Sequence, residues 1–351
     1  MMYKPIFILA LLTAAFSVAG QPAAAPGSDT PAAAPATNTP AAAPATDKPA
    51  PAADTLPERT ISIPVTGLRL EGSLLAPENN PQGKIALLIA GSGPTDRNGN
   101  SGTAISTDTY KLLAGELAKQ HIASYRYDKR GVPKNKNFSE KDVVFDTYIQ
   151  DAEKTVDYLR DSLGFKQIFI IGHSEGSLIG MVVSARKPVT GYVSLSGAGR
   201  PIDVVIREQL ATQPDYVKSK CDSIITLLKK GQTVDSVPPY LNALFRPSIQ
   251  PYAISLFRYD PAAEIKKLAC PVLILQGACD IQVRITDAQL LQTANPRSKL
   301  DIIPAMTHTL KDAGADCKDD NMRTYKDRSL PLDTRLVKDI VDFIHTSPSA
   351  R

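Results

Sequence analysis

The chain has 351 residues and a formal charge of +4, from 40 Lys+Arg against 36 Asp+Glu. These charges are interspersed rather than blocked, which excludes nucleic acid as the main partner, because phosphate binding needs a concentrated basic surface. Four cysteines are too few for a disulfide scaffold at this size, and no apolar run reaches the length of about 18 residues that a membrane span needs.

Lys4 precedes an apolar run from Pro5 to about Val18, and small residues follow at Ala19 and Gly20. A positive start, a short apolar core and a small-residue exit predict a secretory signal peptide over residues 1–20, hence a periplasmic or extracellular protein. Next comes a nine-residue repeat: PAAAPGSDT from Pro22, PAAAPATNT from Pro31, PAAAPATDK from Pro40 and a decayed copy from Pro49. No bulky apolar residue recurs to form a core, and proline at this spacing favours extended, solvated chain. Residues 21–57 therefore read as a disordered spacer. The body, 58–351, is long enough to fold as one α/β domain with an insertion.

In that body ERTISIPVTGLRLEGSLLAP (58–77) alternates about Gly67, which predicts an antiparallel hairpin. KIALLIAGSGP from Lys84 is a continuous apolar run ending in glycines, as a fully buried strand would be. A helix follows around 110–119, then the strand IASYRYD at 122–128 and a helix over roughly 146–163 with Ala152, Val156 and Leu159 on one face. The strand QIFIIGHSEG leads into a helix at 177–185 and a strand at 191–197. After a less regular stretch come a buried strand at 270–277, a helix at 287–294, a short strand at 299–304 and a last helix at 333–345. Strands alternating with helices mean a mostly parallel sheet covered on both faces, with the hairpin as its antiparallel edge.

GHSEG at 172–176 sits where a buried strand turns directly into a helix. The two glycines let the chain turn sharply and leave Ser174 strained and exposed at the helix N-terminus, where the Glu175 amide can face a developing oxyanion. A serine nucleophile needs a base, and there are four histidines. His173 lies inside the turn, His121 at the opposite sheet edge and His345 near the chain end. His308 follows the last strand, at the edge where Ser174 must sit. Asp280, just beyond the strand LILQG at that same edge, is the acid that would orient it. Asp203 is a weaker candidate, and Asp287 and Asp301 read as solvated surface positions. The order Ser174, Asp280, His308 belongs to one triad type. A second oxyanion amide should come from Ser92 or Gly93 in AGSGPTDRNGN. The spacing Asp96, Asn98, Asn100 there resembles the start of a calcium loop, but Ser101 and Thr107 replace its glycine and glutamate, so turn chemistry is the better reading. No His or Cys spacing suggests zinc, and no cofactor is expected.

Taken together, GSGPTDRNGN, YDKRG, GHSEG, QGACD and MTHTLK resemble the α/β-hydrolase superfamily, and within it the EstD-like bacterial esterases and the serine aminopeptidase-like hydrolases, over nearly all of 60–346. The resemblance implies hydrolysis of a small-molecule acyl ester or amide without a cofactor, with Ser174 as nucleophile, His308 as base and Asp280 as acid. It also departs from the pattern, with Ala90-Gly91 where many relatives have His-Gly and Val132-Pro133 after the Arg-Gly of YDKRG. Residues from about 199 to 259, with helical segments IREQLATQ and VKSKCDSIITLLKK, fit a lid inserted above the site. Cys279 and Cys317 both belong to loops at the edge of Asp280 and His308, and a bridge between them is expected in an oxidising compartment. Cys221 and Cys270 lie too far apart to bond. The leading expectation is an exported serine carboxylesterase. A peptidase, an acyltransferase on the same triad and a non-catalytic binding protein are the alternatives.

Overall fold

The computed structural model describes residues 57–80, 83–132, 139–314, 317 and 321–348, so the leader, nearly all of the repeat and Pro133 lie outside it. β1 (Arg59–Val65) and β2 (Leu68–Leu75) form an antiparallel hairpin turned at Gly67, whose φ of 80° would strain any side chain. Then come β3 (Lys84–Ile89), α1 (Thr109–Lys119), β4 (Ala123–Tyr127), α2 (Phe145–Asp157), β5 (Gln167–His173), α3 (Glu175–Arg186) and β6 (Gly191–Leu195). Four helices interrupt the alternation: α4 (Ile202–Gln209), α5 (Asp215–Lys229), α6 (Asn242–Phe245) and α7 (Gln250–Leu256). The chain returns through α8 (Pro261–Ile265) to β7 (Val272–Gly277), α9 (Ile285–Ala294), β8 (Lys299–Ile303), α10 (Asn321–Thr324) and α11 (Thr334–Thr346).

Among the described residues the strands form one eight-stranded sheet in the order β1-β2-β4-β3-β5-β6-β7-β8. From β4 to β8 neighbouring strands are parallel, while β2 meets β4 antiparallel, so the hairpin is the antiparallel edge. β3, β5 and β7 are buried along their whole length, because both sheet faces are covered.

The two-residue period of the strands splits the core. Ile85, Leu87 and Ile89, with Ile168, Ile170 and Ile274, face α2, α3, α9 and the inserted helices. Ala86 and Leu88, with Phe169, Ile171, Val193 and Leu275, face α1 and α11. The predicted stripe Ala152, Val156, Leu159 is fully buried. That helix is α-helical to Asp157 and finishes as a π turn over Tyr158–Ser162, rather than running regularly to 163.

The insertion is seated on the body by specific contacts. Ser255 Oγ accepts from the Phe145 amide at 2.6 Å, Tyr259 and Arg258 bond Asp146, and Arg246 pairs with Glu140. Phe145 packs edge-on against Tyr252 and Tyr259. At its root the sequence expectation for Asp287 needs correcting. Asp287 is only 2% exposed, and its carboxylate accepts from the Gly199 amide and from both arms of Arg200. A helix position that looked solvated instead anchors the segment leaving β6, since a buried carboxylate persists only with such partners.

Candidate active site

The parallel register carries the ends of β3, β5, β6, β7 and β8 to one sheet edge, with Ile89 level with Gly172, His173 with Leu195 and Gly277 with Ile303. Ser92, Ser174, Asp280 and His308 each lie within five residues of such an end, which is why residues so distant in sequence share one site.

Ser174 is the residue between β5 and α3, at φ 55° and ψ −121°, a region that non-glycine residues enter only when the surroundings enforce it. The enforcement is visible at the flanking glycines. A Cβ on Gly172 would lie 2.2 Å from the Gly176 carbonyl oxygen, and one on Gly176 would lie 2.2 Å from that of Ile89. Only bare backbone lets helix and strands approach this closely. The amide of Glu175, first in α3, is among the helix N-terminal N–H groups that have no intrahelical partner.

His308 Nδ1 donates to Asp280 Oδ2 at 2.8 Å. The Asp280 side chain is fully buried and also accepts from the amides of Gln282 and Val283 at 2.8 and 2.9 Å and from Gln276 Nε2 at 3.2 Å. Burial alone would raise its pKa, but the His308 imidazole and these amides outweigh burial and hold it below the usual aspartate value. Among the described residues neither His308 Nε2 nor Ser174 Oγ has a hydrogen-bond partner. Catalytic hydrogen bonds are often long before substrate binds.

His173 is a member of the site that the sequence reading set aside. Its ring centroid lies 4.9 Å from that of His308. Tyr110 O–H accepts from the Gly91 amide at 3.1 Å and meets His173 Nδ1 at 2.8 Å, while His173 Nε2 meets the His308 carbonyl oxygen at 2.8 Å. A carbonyl can only accept, so Nε2 carries the proton and Nδ1 accepts from Tyr110. Burial first and then neighbouring His308 press the His173 pKa down to about 3. With both nitrogens committed it cannot serve as base. It ties the loop after β3 to the backbone of His308.

That loop approaches the serine closely, since a Cβ on Gly91 would lie 3.2 Å from Ser174 Cβ. YDKRG supports it with three consecutive charges. Asp128 binds the Arg97 amide and guanidinium at 2.8 and 2.6 Å. Lys129 Nζ donates to the Gly91 carbonyl at 2.8 Å and to Glu175 Oε1 at 2.9 Å. Arg130 grips Asp151 through two 2.7 Å bonds and also reaches the Thr66 carbonyl. The second Glu175 oxygen accepts from Ser92 Oγ at 3.0 Å and from the Tyr252 hydroxyl of the insertion. The run of charged types in YDKRG was the available sequence signal for this cluster, but nothing in spacing said which partners it would meet. Asp96 and Asn100 act in turns: Asp96 Oδ1 accepts from the amides of Asn98 and Asn100, and Asn100 Oδ1 from those of Thr107 and Asp108.

The remaining candidates stand apart. Asp203 lies in α4, paired with Arg207 and Lys229. His121 and His345 are exposed, and Asp301 pairs with Arg335. Cys279 and Cys317 are disulfide-bonded, with Cα atoms 5.1 Å apart, and Cys221 and Cys270 are free thiols. Among the described residues no cluster of three or more His, Cys, Asp or Glu could hold a metal ion, and no helix is long and apolar enough to cross a membrane.

The family described as serine aminopeptidase, S33, matches residues 100–216, which takes in the Ser174 turn and ends before Asp280. Esterase EstD of Thermotoga maritima is 27% identical over 227 residues, covering 63% of this chain and 52% of that protein, so the chain spans about half of that relative's length. Est1E of Butyrivibrio proteoclasticus, in a structure with ferulic acid bound, superposes with a TM-score of 0.55 at 18% identity, over 82% of this chain and 98% of that one. A proline iminopeptidase from Mycobacterium smegmatis gives 0.52 at 13% identity, over 82% and 98%. With its sheet order, its strand–Ser174–helix turn and these likenesses, the chain has the α/β-hydrolase fold and is similar to esterase EstD and to the serine aminopeptidase, S33, family.

Proposed function

We propose that the protein hydrolyses carboxylic esters of small molecules through an acyl-enzyme on Ser174. The observation that carries the reading is a positive-φ serine at a helix N-terminus, at the same sheet edge as a histidine already hydrogen-bonded to a buried aspartate. Ser174 Oγ attacks the ester carbonyl as His308 Nε2 takes its proton, and Asp280 holds the ring in the tautomer that leaves Nε2 basic. The tetrahedral oxyanion is met by the amides of Glu175 and Ser92. Collapse expels the alcohol, which takes the proton from His308. Water, deprotonated by the same nitrogen, then attacks the acyl-enzyme and releases the carboxylic acid and free Ser174.

One observation favours ester over peptide substrates. An aminopeptidase needs a group to receive the substrate ammonium, and Glu175, the carboxylate beside the nucleophile, is neutralised by Lys129 and occupied by two hydroxyls. The test is turnover of p-nitrophenyl esters of graded acyl length beside aminoacyl anilides. Ester turnover that falls by roughly 10³-fold or more in Ser174→Ala is expected. Undiminished turnover in that variant would end the mechanism, and a preference for anilides over every ester would replace the esterase by an aminopeptidase.

The same reading takes the chain as exported by residues 1–20, with residues 21–57 as a spacer. The Cys279–Cys317 bridge supports it, because disulfides persist in oxidising compartments. Cell fractionation with N-terminal sequencing of the mature protein should find a new N-terminus near residue 20 outside the cytoplasm. A cytoplasmic chain beginning at Met1 or Met2 would refute it.

A further inference from the structure

Lys129 and Glu175 form a charge pair that the hydrolytic cycle leaves without a role. The ammonium is 1% exposed and the carboxylate side chain 10%. Two charges removed from water need a reason, since such a pair is weak evidence for stability. Its geometry supplies one. Lys129 Nζ has three neighbours: Glu175 Oε1 at 2.9 Å, the Gly91 carbonyl at 2.8 Å and the face of Tyr148, whose centroid is 4.4 Å away. A trans peptide points its carbonyl and the following N–H in opposite directions. Holding the Gly91 carbonyl on Lys129 therefore turns the Ser92 N–H away from Lys129. Glu175 Oε2 meanwhile takes the Ser92 hydroxyl, and Tyr110 takes the Gly91 amide. The Gly91 N–H and carbonyl and the Ser92 hydroxyl are thus tied down, while among the described residues the Ser92 N–H has no hydrogen-bond partner, in a loop packed against Ser174. Glu175 also contributes the other oxyanion amide from its own backbone, so one residue links both donors.

We infer that Lys129 and Glu175 are positioning residues for the oxyanion hole: the ion pair aims the Ser92 amide and fixes it relative to the Glu175 amide. This rests on the serine hydrolase reading above and takes as its second oxyanion donor Ser92, the N–H of the peptide whose carbonyl Lys129 holds.

The test compares the full-length wild type with Lys129→Met, Glu175→Gln and the double variant, which leaves neither charge of the pair unpaired and keeps the question open to measurement if a single variant fails to fold. Two readouts are taken: kcat and KM on a p-nitrophenyl ester, and the second-order rate of Ser174 labelling by a fluorophosphonate, which loses fluoride to the serine and places a polarised phosphoryl oxygen where the oxyanion forms. Loss of a whole oxyanion donor costs about 10²–10³-fold, so a misaimed one should cost about 10- to 100-fold in kcat and in labelling, with KM within threefold. The acidic limb of the pH–rate profile should not move, because His308 and Asp280 are untouched. The double variant should be no worse than Lys129→Met, since the two act as one unit. Folded variants that keep more than a third of wild-type kcat and labelling rate, or lose activity through KM alone, overturn the inference. If the wild type is labelled at Ser174 but cleaves no ester, the esterase reading falls and the labelling rates still decide the pair. If Ser174 is not labelled in the wild type, both fall.

Discussion

Two histidine rings 4.9 Å apart take opposite roles because their partners differ. His308 donates from Nδ1 to a carboxylate, which leaves its Nε2 free to accept a proton from a neighbour. His173 faces a hydroxyl and a carbonyl in a buried setting, which keeps it neutral down to about pH 3. The sign of the consequence follows from linkage. Below the ordinary histidine pKa the unfolded chain takes up a proton at residue 173 that the folded protein refuses, so stability drops as pH falls from about 6.5 toward 3. Asp280, whose pKa is lowered in the fold, acts only below about pH 4, while Asp339, raised to about 6 by burial and by Asp301, titrates in the same interval and is cancelled by comparing the wild type with a His173 variant. Urea midpoints at pH 7.5 and 5 should differ less in His173→Gln than in the wild type; equal differences would mean that His173 is not held neutral. For Asp280→Asn, loss of tautomer control should lower kcat by on the order of 10³-fold with little change in KM, as steady-state kinetics would show.

At the scale of elements, the joint between β5 and α3 leaves no room. A methyl group on Gly176 would collide with the Ile89 carbonyl, a main-chain atom of a fully buried strand that cannot step aside. Gly176→Ala should therefore cost about 1–3 kcal/mol or more of stability in a urea titration and carry activity down with it. Gly115, on α1 with open space around its Cβ position, is the control. Gly115→Ala should raise the midpoint, by about 1 kcal/mol or less. Most of these elements were legible beforehand, because fully apolar runs, hydrophobic stripes and glycine-flanked turns are local signals. Asp287 was not legible: whether a helical carboxylate meets water or Arg200 depends on where the segment after β6 folds back.

For the molecule as a whole, the Cys279–Cys317 bridge joins the loop bearing Asp280 to the chain beyond His308, across a separation of 38 residues. Closing a loop of that length in the unfolded state stabilises the fold by about 4 kcal/mol in the chain-entropy model. Cys317→Ser should lower the unfolding free energy by a few kcal/mol and reduce kcat, since Cys279 adjoins the acid. A variant as active as the wild type would show that Asp280 is held by its own hydrogen bonds to Gln276, Gln282 and Val283.

The sequence by itself determined the alternating α/β order, the helical insertion, the Ser174 turn and the placing of Asp280 and His308 at one sheet edge, because each rests on periodicity, on glycine's backbone freedom or on counting residues past a strand. Only the tertiary structure decided that His173 bridges Tyr110 to His308, and that Lys129, Glu175, Ser92 and Tyr252 meet in one buried cluster. Those contacts join four or five separate segments, and a buried charge takes whichever partner packing brings within about 3 Å, a distance that spacing along the chain does not encode.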